Sequence, residues 1–222
     1  MGVDASRGDI LAFTDADCIP DTDWLRTAHE FLLHQKDVDA IGGSVQLVRS
    51  SQRSLVEDYE LCLGFPQEHS INEVGYSVTA NLIVRKRSFD SVGPFDEQLF
   101  SGGDREWGLR AKELGLRMQY LPGLIIRHPA RASLASLISK HRRIAGGQIQ
   151  ESRKKDTWHT HLLKALTPSF PFRRSYRLLA QNKKEQLAFM RRVQVITLMA
   201  LISMCCMLEK WRLLVGGRPI RK

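Results

Sequence analysis

The sequence predicts a three-layer α/β domain followed by a basic, largely helical C-terminal extension. Three observations predict it. Over residues 1–130, short apolar runs of strand length alternate with segments of helical spacing. Turn and cap chemistry punctuates them at residues 20–23, at Gly93-Pro94 and at Gly115. Charge then divides the chain. Residues 1–130 hold 13 basic and 20 acidic residues, a net of −7, whereas residues 131–222 hold 20 basic and 4 acidic, a net of +16. An acidic body and a basic tail cannot share one electrostatic role. With 43% of its 222 residues apolar and 26% charged, the chain is neither a disordered nor a collagen-like polymer. Four cysteines without a Cys-x-x-Cys pair support neither a disulfide scaffold nor a structural zinc site.

The first element, residues 9–14, is a short apolar run that ends at Asp15-Ala16-Asp17 and reads as a buried strand. Pro20-Asp21-Thr22-Asp23 supplies a turn and an N-cap for a helix over residues 24–36, where Trp24, Leu25, Ala28, Phe31 and Leu32 recur at helical spacing. Residues 40–48 read as a strand that begins around Gly42-Gly43, and residues 54–63 as a helix. Residues 78–84 alternate loosely, as a strand does, and residues 88–92 form a helical turn closed by Gly93-Pro94. Residues 104–114 are helical, with Trp107, Ala111 and Leu114 on one face and Gly115 as the stop. Two short strands follow, at residues 117–120 and 124–128.

Beyond residue 130 a basic helix over residues 133–149 clusters Lys140, His141, Arg142 and Arg143. Residues 151–192 are rich in Arg and Lys and are interrupted by Pro168 and Pro171. Residues 193–208 carry no charge. As a helix that run would be about 24 Å long, short of the ~30 Å hydrocarbon core of a bilayer.

In open α/β sheets ligands bind beyond the carboxyl ends of the strands, so position alone makes Asp15 and Asp17 a candidate site. Two carboxylates one residue apart can converge on one cation. Hard oxygen donors suit Mg²⁺ or Mn²⁺, ions that commonly bridge to substrate phosphates. The plainer alternative is a turn with an N-cap.

Four segments, in this order, carry a more specific signal. Gly8-Asp9-Ile10-Leu11-Ala12-Phe13-Thr14-Asp15-Ala16-Asp17-Cys18-Ile19-Pro20-Asp21 resembles the metal-binding strand and DxD loop of family 2 glycosyltransferases with the GT-A fold. Residues 79–86, Thr-Ala-Asn-Leu-Ile-Val-Arg-Lys, resemble the strand beside that family's acceptor site. Val92-Gly93-Pro94-Phe95-Asp96-Glu97 resembles its G-x-F-D-E turn, and residues 102–110 its ED-x-[DE]-[LW]-G-x-R helix.

The resemblance implies a partial GT-A, Rossmann-like domain over residues 1–150, with a basic helical tail over residues 151–222. It implies that Asp15 and Asp17 hold the diphosphate of a nucleotide-sugar donor, Asp17 through Mn²⁺ or Mg²⁺, with His128 completing the metal set. Asp104 matches the general base that deprotonates the acceptor hydroxyl in an inverting displacement. Asn81, Gly103, Glu106 and Trp107 fall on the acceptor side, and Arg142 and Arg143 are candidates for contacting the diphosphate. Each has a plainer reading: an N-cap for Asp104, an ion pair with Arg110 for Glu106, a turn for Asn81, core for Trp107, a satisfied histidine for His128, and a solvated basic face for Arg142 and Arg143. Gly103 stands where many relatives carry Glu.

The family's opening strand, nucleotide-binding loop and uracil-reading Asp have no counterpart in these residues, so the expectation is an N-terminally truncated catalytic domain. The basic tail and its uncharged run predict attachment to an anionic membrane at its cytoplasmic face, peripheral or single-pass, near a polysaccharide or lipid-linked acceptor. Nucleic-acid binding by the tail is the weaker reading, because an uncharged run of this length does not suit a solvated binding arm. Two rivals stand beside the transferase: an inactive remnant of one, and a metal-dependent nucleotidyltransferase. The Asp104 helix and the Phe95-Asp96-Glu97 turn speak against the latter.

Overall fold

The protein is described by a computed structural model that covers residues 2–155 and 187–218. The chain forms two compact units. The first comprises Met1–Val48, Gly64–Asp96 and Gly103–Pro129; the second comprises Arg49–Leu63, Glu97–Gly102 and Ala130–Lys222.

The first unit is a five-stranded mixed sheet between helices. After the short helix α1 (Gly2–Ala5), its elements are β1 (Ile10–Phe13), β2 (Ile19–Pro20), α2 (Trp24–His34), β3 (Ala40–Val48), β4 (Leu82–Arg85), α5 (Lys86–Val92), α6 (Gly103–Glu113) and β5 (Met118–Pro129). α3 (Leu55–Leu63) belongs to the second unit, and the single turn α4 (Gln67–His69) to the first. Strand order is β1-β4-β3-β5-β2. β1 and β3 each run antiparallel to β4, β3 and β5 run parallel, and β2 runs antiparallel to β5. The carboxyl ends of β1, β3 and β5 therefore lie at one end of the sheet, together with the amino end of β4.

Alternation along the strands supplies two cores. Leu82 and Val84 of β4 face Phe89, Val92, Trp107 and Ala111 of α5 and α6. Ile83, between them, faces the opposite way with Ile41, Leu124 and Ile126, against Trp24, Ala28 and Leu32 of α2. Helices thus cover both faces, the three-layer arrangement that the alternating pattern predicts.

β2 and α4 are not expected from the sequence, and three expected elements are built differently. The strand expected from residue 78 starts at Leu82, because Thr79–Asn81 forms a 3₁₀ turn in which the Asn81 N–H donates to the Val78 carbonyl at 3.1 Å. The two strands expected at 117–120 and 124–128 are one strand with an irregularity. Gly43 pairs with Leu121 while Ser44 pairs with Ile125, so Pro122, Gly123 and Leu124 bulge out without ending the ladder. Leu114 is 59% exposed: α6 ends at Glu113, and Gly108 takes the third buried position on its inner face.

The bulge explains Gly43. A Cβ there would lie 1.9 Å from the Leu124 carbonyl oxygen, a backbone atom that cannot swing away. Gly43→Ala is therefore expected to cost about 3 kcal/mol or more, the upper end of overpacking penalties. The midpoint of urea unfolding measures it.

The second unit contains α3, α7 (Leu134–Lys155) and α8 (Phe189–Leu214). The stretch with Pro168 and Pro171 lies outside the described residues. The start of α3 is a capping box. The Ser54 hydroxyl accepts from the Glu57 N–H at 3.1 Å, and Glu57 accepts from the Ser54 N–H at 2.9 Å. Val56 and Tyr59 pack against Leu137, Val195, Leu198, Met199 and Ile202.

α3 also buries Asp58 and Glu60. Asp58 is paired with Arg49 at 2.6 Å and Arg191 at 2.5 Å, and Glu60 with Lys140 at 2.6 Å and Arg131 at 3.3 Å. Burial pushes both carboxyls up, but the cations outweigh it and hold them below the usual carboxylate range. All four cysteines are unbridged.

Candidate active site

The acids predicted at the end of the first strand are placed there. β1 stops at Phe13, and a turn in which the Cys18 N–H donates to the Asp15 carbonyl at 3.0 Å carries Asp15 and Asp17 past the sheet end. Both are exposed, whereas His128, near the carboxyl end of β5, is 6% exposed. Its Nε2 lies 3.6 Å from Asp17 Oδ1 and 3.9 Å from Asp15 Oδ2. The potential ligand atoms of Asp15, Asp17, Cys18 and His128 all fall within 4.8 Å of one another.

The other ring nitrogen fixes the tautomer. His128 Nδ1 lies 2.8 Å from the Pro129 carbonyl oxygen, which can only accept, so Nδ1 carries the proton. His128 Nε2 then faces the two carboxylates. That convergence offers three donor atoms to one divalent cation. Phe65 packs against the ring with centroids 5.6 Å apart.

Two carboxylates and one imidazole nitrogen fit a borderline-hard divalent ion. The nitrogen favours Mn²⁺ over Mg²⁺, which prefers oxygen donors throughout. Cys18 adds a soft donor that hard ions do not need. Burial pushes its thiol up, and the charges of Asp15 and Asp17 push the same way. If His128 is a ligand, His128→Ala is expected to weaken Mn²⁺ binding at least tenfold, in line with the roughly 10- to 100-fold cost of losing even a supporting residue. An electron paramagnetic resonance titration of free Mn²⁺ checks this.

Asp104 lies in the first turn of α6. Its carboxylate accepts the Arg105 N–H at 2.8 Å and backbone N–H groups of Asp104 and Thr79. Those donors, like the helix N-terminus, favour the charged form. Burial is the largest influence and acts the other way, aided by the charge of nearby Asp15, so the carboxyl lies above its ordinary value. Thr79 comes from the 3₁₀ turn before β4, at the same end of the sheet as Asp15, Asp17 and His128. A Cβ on Gly103, the residue before Asp104, would meet nothing within 4 Å.

Other residues expected to contact acceptor are placed differently. Asn81 is 0% exposed and its amide is fully used. Its Oδ1 accepts from Trp24 Nε1 at 2.9 Å, and its Nδ2 donates to the carbonyls of Ser44 at 3.0 Å and Leu124 at 2.8 Å. Those carbonyls flank the β3–β5 irregularity, so Asn81 satisfies backbone groups that the bulge leaves unpaired. Trp107 is also 0% exposed, stacked on Phe89 with its Nε1 donating to the Gly93 carbonyl at 2.9 Å; it is core and offers no face to a sugar. Glu106 accepts from Arg110 at 2.6 and 3.1 Å, and Arg110 donates onward to the carbonyls of Val92 and Pro94 at 2.5 and 2.7 Å. The pair ties α6 to the Gly93-Pro94 turn.

Arg142 and Arg143 belong to α7 in the second unit. Arg142 pairs there with Glu209 at 2.9 Å, and Arg143 donates to the Ser101 hydroxyl at 3.4 Å. Sequence reasoning missed the Thr79 N–H on Asp104 and the packing of Phe65 on His128. No motif marks either, since both depend on contacts distant in sequence.

Comparison with known proteins points the same way. Residues 1–147 match the family described as Glycosyltransferase like family 2. The chain is 35% identical over 149 residues to Glycosyltransferase AglE of Haloferax volcanii, covering 67% of this chain and 48% of that protein. It is 29% identical over 152 residues to the Pre-mycofactocin glycosyltransferase of Mycobacterium tuberculosis, covering 63% of this chain and 31% of the relative. The chain thus spans less than half the length of these curated relatives. Its fold resembles that of the mannosyltransferase PcManGT from Pyrobaculum calidifontis, solved in complex with GDP-Man and Mn²⁺. There the TM-score is 0.54 at 15% identity, covering 98% of this chain and 65% of that one. The ordered motifs, the mixed three-layer sheet and a family match over most of the chain lead to one conclusion: this protein belongs to glycosyltransferase family 2.

Proposed function

We propose that the chain transfers a sugar, with inversion, from a nucleotide-sugar donor to a polysaccharide or lipid-linked acceptor at the cytoplasmic face of a membrane, with Mn²⁺ or Mg²⁺ as cofactor. The observation that carries this reading is the meeting of Asp15, Asp17 and His128 at the sheet end where the Asp104 carboxylate is also held.

A divalent ion held by Asp15, Asp17 and His128 would neutralise charge developing on the departing nucleoside diphosphate. The protein's own groups do the rest. His128, locked by its bond to the Pro129 carbonyl, keeps its free nitrogen toward the acid pair. Asp104 takes the proton of the acceptor hydroxyl as that oxygen attacks the anomeric carbon, and the bond to the diphosphate breaks on the opposite face of the sugar. A buried carboxylate with a raised proton affinity is a better base than an exposed one, and burial offsets the acidifying helix terminus.

Calorimetric titration with GDP-mannose and UDP-glucose, with and without Mn²⁺, tests the donor half. Binding that requires the ion and disappears in Asp17→Asn is expected. Donor binding indifferent to both would refute the assigned site.

A further inference from the structure

Helix α8 has an outward face that does not suit water. Met190, Val193, Leu201, Met204, Leu208 and Trp211 recur at helical spacing, and each is at least 36% exposed. Between Val193 and Leu208 the exposed positions carry no charge, and their polar residues are Gln194 and Thr197. A surface helix normally turns its charged side outward, and apolar exposure of this extent marks an interaction surface.

By length and composition α8 could cross a bilayer. Its other face argues against crossing. Val195, Leu198, Met199 and Ile202 pack against Val56, Tyr59 and Leu137. Ion pairs tie both ends of α8 to those helices: Arg191 to the fully buried Asp58 at 2.5 Å, and Glu209 to Arg142 at 2.9 Å. Withdrawing α8 into a bilayer would break both pairs and leave Asp58 without one of its partners.

We infer that α8 lies flat on the membrane, its outward apolar face sunk into the headgroup boundary of an anionic leaflet while its inner face stays on α3 and α7. The charge of the region selects this occupant. Residues 131–222 carry a net +16, with Arg192 in the first turn of the helix and Arg218 just beyond its end, while Arg191 and Arg212 are engaged by Asp58 and Glu209. Anionic head groups attract such a surface, with about 1 kcal/mol for each nearby Lys or Arg. A second copy would bring another +16 against the first. Trp211, 43% exposed near the basic end, suits the interfacial depth at which tryptophan is enriched. This inference rests on the membrane location proposed above and is independent of the glycosyl transfer.

The test is co-sedimentation of the full chain with vesicles of phosphatidylcholine alone or mixed with phosphatidylglycerol, followed by carbonate extraction. The expected result is pelleting with the anionic vesicles, release by carbonate, and at least tenfold weaker partition for Leu201→Gln/Leu208→Gln, whose sites are exposed so that the fold is retained. Carbonate-resistant pelleting, unchanged in the variant, would overturn the flat arrangement in favour of a span and leave membrane attachment standing. Absence from every pellet would overturn both. A dimer in solution that the variant dissolves, without vesicle binding, would give the face to a second copy.

Discussion

Replacing Asp104 with Asn is expected to lower glycosyl transfer by roughly 100- to 10,000-fold, the range a positioned general base contributes, while donor binding persists. The substitution keeps the side chain's shape but leaves one oxygen for the backbone N–H groups of Arg105, Asp104 and Thr79, so it removes the proton acceptor and part of the hydrogen bonding that holds it. The same environment predicts a pH dependence. Asp104 acts as a base only when ionised, and burial followed by the Asp15 charge raises its carboxyl. The rate should therefore fall as pH drops through that raised value, placing the acid limb above that of an ordinary exposed aspartate. A divalent ion on Asp15 would cancel the second influence and leave the larger one.

Stability runs with the opposite sign. A carboxyl that binds its proton more tightly when folded adds stability at low pH, and that contribution is lost as pH rises from the unfolded to the folded value. Asp104→Asn removes a desolvated charge but also an acceptor for backbone N–H groups, so the neutral-pH melting temperature should change little. Lost transfer with a little-changed melting temperature is the signature of a base. Retained turnover would remove Asp104 from the mechanism.

Asn81→Ala is expected to have the largest effect on stability. It leaves the buried Trp24 N–H and the Ser44 and Leu124 carbonyls without their partner, and it opens a cavity. Each orphaned buried group costs about 1–3 kcal/mol, so a loss of roughly 3–5 kcal/mol is expected once non-additivity is allowed for. Domains are stable by only about 5–15 kcal/mol, so most of the margin would go. Thermal unfolding followed by circular dichroism measures the loss, and Asn81→Asp provides a second variant. Aspartate can still accept from Trp24, but it presents an oxygen to two carbonyls in place of a donor, so it too should destabilise. A variant that melts as the wild type yet no longer transfers sugar would return Asn81 to the acceptor site.

The contrast between Asp15 and Asn81 shows what was legible in the sequence. The order of strands and helices follows from local periodicity, and the acids after β1 stand out because their position depends only on where one apolar run stops. Asn81 depends on a register shift between β3 and β5, which lie far apart in sequence, so its 3₁₀ turn reads as strand and its amide as a ligand. Pro122-Gly123 marks a break locally, yet the ladder resumes at Ile125 because β3 continues alongside. Helical spacing already placed Trp107 on the core face of α6; only the resemblance moved it toward the acceptor. The proximity of His128 to the acid pair could not be read from spacing at all, since it requires β5 to end where β1 ends.

The central claim is that Asp15, Asp17 and His128 hold one divalent ion against the donor's diphosphate. Pulsed electron paramagnetic resonance of Mn²⁺ bound to the chain with a nucleoside diphosphate addresses it directly. Phosphorus and nitrogen couplings on the same ion are expected, the nitrogen coupling vanishing in His128→Ala. Phosphorus coupling without any nitrogen coupling in the wild type would contradict it.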